Sequence, residues 1–548
     1  MEERSRVREE LPPGRRLSRR NLIVGAGAAV GAGILAACQS TTTPGASAAP
    51  AVSAAASFAP ATGPAAGSTV ATSKDMKLVG YNDLANRSTY QPWVAKYPNG
   101  KYVLFTGHHT LDVDPVTKAP LPSKNPLNGK DEENGTSLVD VTDPANPKLL
   151  FHIPVANGKG GGAQMLRVVD GSRLPVKDGK MYLLRSYASA AHEIWDVTDP
   201  ASPKGVLTVA GGNPLVGAQT GAPGALATTH KSWWEQETGI AYVVGSRGAD
   251  KDAGWRTGHH IMVYDLGDPA KPKFLRDWAL DGQQPGGKIP AHFEAVPNIH
   301  GPISTGPAGN RIYMAYGTGE NGVMQIVDRA KLLSSAATDY VTAEVGRLVM
   351  NPENGGHTSF PLGKIKVPDR AIGTGNAKAE VRDVVVLVSE ATQHFGAEPR
   401  HIVRFVDVTD EARPEIMSTF QVLASSGGEG ERNFIERGGR FGPHASNEEF
   451  GPPFYQKVVF ISYFNAGLRA VDVRDPFNPR EVAYFIPATT EKTDKRVGKL
   501  RGVDTARVVI QTNNVATDDR GYIYIVDRAN TGLHVLELTG AAKDIIAK

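Results

Sequence analysis

Short apolar runs rich in Val, Ile, Tyr and Phe, bounded by Gly or Asp, dominate the chain from residue 101 onward. Seven stand out: KYVLFTG (101–107), KMYLLRS (180–186), GIAYVVGS (239–246), RIYMAYG (311–317), DVVVLVS (383–389), KVVFISY (457–463) and YIYIVD (522–527). β-Branched and aromatic residues flanked by turn formers predict strands. No long stretch beside them carries a convincing 3.6-residue apolar period, so helices are not expected. A second apolar run follows each of the seven and ends in an acidic residue. Five of these continue in nearly the same words: VDVTDPANPKLL (139–150), WDVTDPASPKGV (195–206), YDLGDPAKPKFL (264–275), VDVTDEARPEIM (406–417) and VDVRDPFNPREV (471–482). Two weaker copies, QIVDRAKLL with Asp328 and HVLELTG with Glu537, bring the series to seven. The acidic residues stand 56, 69, 63, 79, 65 and 65 positions apart, a repeat long enough for one four-stranded unit each.

The turn accounts for its own residues. In Thr142-Asp143-Pro144-Ala145-Asn146-Pro147 the Asp side chain can accept from the backbone ahead of it, and Pro144 pre-sets φ for a tight turn. The second Pro opens the next strand. A Pro in a sheet is confined mainly to strand starts and edges, so each repeat is expected to end in an outermost strand. Four strands per repeat, an edge strand last and seven repeats describe an all-β, seven-bladed β-propeller over residues 74–548. The last copy has no outer strand after Thr539. The first folded segment, MKLVGYNDL (76–84), is expected to supply it and so close the ring.

The VDVTDPxxP pattern resembles that of LVIVD-repeat proteins, a bacterial group of exported propeller-like proteins, across the whole region from residue 74. That resemblance implies a fold more than a function. A more distant similarity, carried by the same turns and by scattered histidines, is to the selenium-binding protein/methanethiol oxidase family. It implies a copper-associated, exported oxidase.

The N-terminus reads as an address rather than as structure. Seven Arg precede an uncharged Gly/Ala-rich stretch, Leu22 to Ala37, that ends in Leu35-Ala36-Ala37-Cys38. The Arg19-Arg20 pair resembles a twin-arginine export signal, although Val24 stands where that motif often has Lys. Leu-Ala-Ala-Cys resembles a lipobox, which makes residues 1–37 a lipoprotein signal peptide and Cys38 the lipidated N-terminus of the mature protein. The alternative, an uncleaved anchor, has sixteen residues, four of them Gly, against the roughly 20 apolar residues a spanning helix needs. Residues 38–73 then form a flexible Ala/Ser/Thr/Pro tether. The expected location is outside the cytoplasmic membrane, attached to it through Cys38.

Removing the signal changes the charge. Of 60 basic and 57 acidic residues, seven and four fall within positions 1–37, which leaves 53 of each. A neutral domain gives no reason to expect nucleic acid as a partner. Another envelope protein or a small-molecule ligand remains open. Cys38 is the only cysteine, so the domain holds no disulfide and no thiolate ligand.

Histidines carry the candidate chemistry. His230, His300, His357 and His444 occupy an equivalent place in four consecutive blades, ahead of the second strand. Gln164 and Asn513-Asn514 stand there in blades two and seven. Innermost strands line a propeller's channel, so imidazoles at that register would converge on one axis and suit copper, zinc or iron. The competing reading is structural: each His bonds within its own blade, with Asp265, Asp407 or Asp472 as partner. His292, Glu294, Glu390 and His394 are secondary candidates for an extra ligand or proton acceptor. The pairs His108-His109 and His259-His260 read as solvated loop residues. Phosphate-cradling, dinucleotide, nucleophile-elbow and zincin motifs are missing. Two functions follow from different classes: a lipid-anchored binding or interaction module, taken by default, or a metal-dependent, copper-type oxidoreductase with a His-lined channel.

Overall fold

The computed structural model describes residues 70–110, 121–156, 161–211, 226, 228–246, 259–288, 297–318, 321–367, 380–393, 398–426, 433–496, 499–500, 503–504 and 507–547. The expected signal, Cys38, the tether up to residue 69, and His292, Glu294 and His394 lie outside them.

Seven four-stranded antiparallel sheets make the seven blades of a β-propeller. Blade one shows the plan: Thr89–Lys96 innermost, then Tyr102–His108, Gly135–Asp140 and outermost Lys148–Pro154. All seven Val/Ile/Tyr runs are second strands, and the acidic residue of each repeat lies at the end of a third strand. The innermost strands of blades seven, one, two, three, four and five touch in that order around the axis. Apolar faces interdigitate between blades; Trp233, Tyr242 and Val263 of blade three share a core with Ile303, Ile312 and Met314 of blade four.

The repeated turn is two Asx turns in series. Asp140 accepts from the Thr142 amide (2.8 Å) and Asp143 from the Ala145 amide (3.1 Å). Asp196 and Asp199, Asp265 and Asp268, Asp407 and Asp410, and Asp472 and Asp475 do the same. Each carboxylate thus satisfies a backbone N–H that the tight corner would orphan. These aspartates are therefore spent on their own turns. In blade four, which lacks the Pro, Asp328 instead caps a short helix, Arg329–Leu333.

The ring closes as the sequence implies. Met76–Asn82 pairs with Leu533–Leu538 and becomes the outermost strand of blade seven. The Asn82 amide donates to the Pro147 carbonyl (3.0 Å), which fastens this strand to the turn of blade one. Blade six departs twice from the pattern. Thr72–Lys74 pairs outside Arg480–Ile486, so there the Pro-initiated strand is not the edge. Its innermost strand is reduced to a bridge, Ser446 to Ile461, flanked by a His444 amide bond to the Ser462 carbonyl (2.9 Å).

Candidate metal centre

Both the start of every innermost strand and the end of every second strand lie on one face of the propeller. At that point the ladder between them slips by a residue: between Thr89 and Pro92 in blade one, Thr229 and Ser232 in three, Ile299 and Gly301 in four, Gly356 and Thr358 in five, and Thr512 and Asn514 in seven. A β-bulge re-aims the side chain it contains. The residues inside these slips include Tyr90, His230, His300, His357 and Asn513.

The re-aimed rings converge. His230 and His300 have ring centroids 4.4 Å apart, His300 and His357 3.6 Å, and His357 and His444 4.2 Å. Tyr90 closes the circuit, 5.2 Å from His444 and 6.1 Å from His230. Its hydroxyl lies 3.1 Å from His444 Nε2 and 3.3 Å from His357 Nε2. His444 Nδ1 is 2.6 Å from the Asn513 carbonyl, which only accepts. Nδ1 therefore carries the proton, and the lone pair of Nε2 faces the ring centre. His357 Nδ1 meets Thr358 Oγ1 at 2.8 Å.

His300 has no such arrangement. It is buried, and neither of its ring nitrogens has a hydrogen-bond partner. Glu390, one residue past the second strand of blade five, reaches the same place: its carboxylate lies 3.6 Å from His444 Nε2, 4.0 Å from His357 Nε2 and 2.8 Å from Arg440 Nη1. His300, His357 and Glu390 offer three ligand atoms all within 4.8 Å of one another. Bonds of about 2.0–2.2 Å from imidazole and carboxylate to one ion need only a modest inward rotation from there.

Electrostatics prepare the same outcome. Burial, followed by neighbouring cations and imidazoles, holds His230, His300, His357 and His444 well below the ordinary histidine range, so all four are neutral and able to ligate. Burial pushes Glu390 up, and Arg440 and Arg528 pull against that shift.

A cavity of about 430 Å³ opens onto this ring, lined among others by Tyr90, His230, His300, Glu390, Arg440 and Arg528. Beside the ring, Lys231 and Arg167 both bind the buried Glu448 carboxylate, so residues of blades two, three and six meet in one ion cluster. The Arg167 guanidinium lies 4.8 Å from both the Trp93 and the Trp233 rings.

The structure brings together all four sequence-selected histidines and Glu390. Asp265, Asp407 and Asp472 cap turns, so they are not the partners the structural alternative gave these rings, whereas His357 does bond within its own blade, to Thr358. His108 and His260 are fully buried rather than solvated. His259 stacks on His230 at 5.6 Å, with the rings nearly parallel. Gln164 lines the cavity from blade two, as its register implied. Tyr90, Arg440 and Arg528 were missed. A signal existed for two of them: Tyr90 is the blade-one residue at the histidine register, and Arg528 follows its second strand as Glu390 follows its own.

Against known proteins, no family model matches the chain, and no curated protein matches it. Among solved structures it is similar to the Dos1 propeller, with 9% identity and a TM-score of 0.39 over 85% of this chain and 96% of that one. It is also similar to a hypothetical selenium-binding protein from Sulfolobus tokodaii, with 10% identity and a TM-score of 0.41 over 83% of this chain and 94% of that one. Such values carry nothing about chemistry. The fold rests on the seven sheets themselves.

Proposed function

We propose that the axial histidine ring holds one transition-metal ion and that the protein is a metal-dependent oxidoreductase, exported and lipid-anchored at Cys38. The observation that carries the metal reading is His300: a buried imidazole with two unpartnered nitrogens is costly, and an ion shared with His357 and Glu390 removes that cost. Two imidazoles and a carboxylate facing an open cavity are the donor set of non-haem iron sites; with His444 added, the set suits copper or zinc equally. A redox-active ion held there would exchange electrons with a molecule occupying the cavity. Around it, the Asn513 carbonyl fixes the orientation of His444 through Nδ1, while Arg440 holds Glu390 in place. The twin-arginine-like Arg19-Arg20 pair supports export of an already folded, metal-loaded domain, and Leu35-Ala36-Ala37-Cys38 supports the anchor.

The test is elemental analysis of the full chain, purified without chelator or metal-affinity resin. About one copper or iron per chain is expected, lost in His300→Ala and in His357→Ala; zinc alone would keep the metal centre and remove the oxidoreductase reading. A chain that is metal-free and takes up none of the three on dialysis overturns the proposal and leaves a propeller that acts by binding alone.

A further inference from the structure

The second strands deliver a further set of side chains to the same face. The residue just past such a strand is Glu390 in blade five and Arg528 in blade seven, and Arg440 enters from the segment before blade six. All three line the axial cavity. Among its described lining residues, histidines aside, these are the only ionisable side chains: two guanidiniums and one carboxylate. Arginine cannot shed its proton, so both guanidiniums stay charged at every working pH. The carboxylate is also engaged already. Glu390 takes Arg440 Nη1, the same nitrogen that donates to the Ala391 carbonyl (3.3 Å), so one nitrogen serves both contacts. The remaining polar lining is uncharged: Gln164, Thr228, Asn298, Thr318 and Thr392.

A cavity of about 430 Å³ suits a small organic molecule. A positively charged, partly enclosed chamber favours an anion strongly, since charge-assisted bonds from guanidinium to oxyanion exceed neutral ones. We propose that the axial chamber selects small organic anions, carboxylates foremost, with Arg440 and Arg528 holding the charged end beside the histidine ring. This names the ligand class for the metal-centre reading and rests on it for the claim that the ligand is a substrate. The selection itself needs only the arginines.

The experiment is calorimetric titration of the full chain, metal-free and separately zinc-loaded, with three isosteric pairs: acetate and acetamide, oxalate and oxamide, benzoate and benzamide. At least one anion should bind the metal-free chain tenfold or more tightly than its neutral partner. Arg528→Gln should cut that preference by about tenfold or more while leaving zinc uptake intact. Arg528→Lys should recover part of it. No anion preference in any pair, in either form, overturns the inference, as does a preference that Arg528→Gln leaves unchanged. The two readings fail separately: zinc uptake without anion preference removes only this inference, and anion preference in a chain that never takes metal removes only the metal centre.

Discussion

Replacing His300 and His444 separately by leucine should move stability in opposite directions in the metal-free protein. At pH 8 both rings are neutral. His300 buries one N–H and one lone pair with no partner. Each unmet group costs roughly 1–3 kcal/mol, and a leucine of similar volume removes both at a packing cost usually under about 1.5 kcal/mol. His300→Leu should therefore stabilise the metal-free chain, by about 0.5 kcal/mol at the least and several kcal/mol at the most. His444 is different: its Nδ1–H reaches the Asn513 carbonyl at 2.6 Å, and its Nε2 accepts from Tyr90. Both partners retain a second contact, Ser462 Oγ for the carbonyl and His357 for the hydroxyl. The loss is then two hydrogen bonds at about 1 kcal/mol each rather than two orphaned groups, a destabilisation of about 1–3 kcal/mol. Urea unfolding followed by tryptophan fluorescence measures both. Equal destabilisation by the two changes would mean that His300 is satisfied after all, and the argument for an ion would fall with it.

Tyr90→Phe should leave one metal ion per chain with its affinity changed by less than about tenfold, measured by competition with a chelator, because the hydroxyl meets His444 and His357 at Nε2, the lone pair an ion would take, and cannot steady either ring once the ion is bound. Acid should unfold the protein early. Burial depresses His152 to about 3 and His192, His259 and His534 to about 4, so below pH 6.5 the unfolded chain binds more protons than the folded one. Stability should then fall by about 1.4 kcal/mol per pH unit for each of them. Glu449, raised to about 7 by burial, and Glu390, also raised by burial, work the other way as pH drops, two groups against these four histidines and the four of the ring. Urea midpoints that are level between pH 7.5 and 5.5 would show that these rings titrate normally. Gly80→Ala should cost 2 kcal/mol or more (roughly the low end for a forced overlap), because its Cβ would meet the Pro144 carbonyl oxygen in the closing contact between blades seven and one. Limited proteolysis near residue 80 should report the loosened closure.

The fold was legible because one physical device repeats. Two Asx turns and a strand-opening Pro write the same corner in five blades, and their spacing counts the blades. Blade six hid its extra strand because Thr72–Lys74 carries no apolar alternation; its place comes from pairing with Arg480–Ile486 alone. The histidine register was legible for the same reason as the corner, being periodic. Tyr90 shares that register but was not picked out, since its residue type differs. Nor were the buried ion contacts of Arg167, Lys231 and Glu448, which join positions 217 and 281 residues apart. Likewise, His108 and His260 look like loop residues by composition, and only the packing of adjacent blades buries them.

The blades that lack histidine bear on whether four imidazoles at one register serve the fold or a ligand. Blade seven has the same slip as blades three, four and five, yet it holds Asn513 there, and blade two places Gln164 at the cavity. The bulge therefore needs no histidine: a phenol occupies it in blade one and an amide in blade seven. What the imidazoles add is a cluster of neutral nitrogens, driven out of protonation by burial and by one another, around a carboxylate that an arginine steadies. For stability alone that is a poor choice, since burying neutral imidazole forfeits folding energy as soon as the pH falls below 6.5. Holding an ion makes it a good one, because ligands already deprotonated and converging lose little on binding metal.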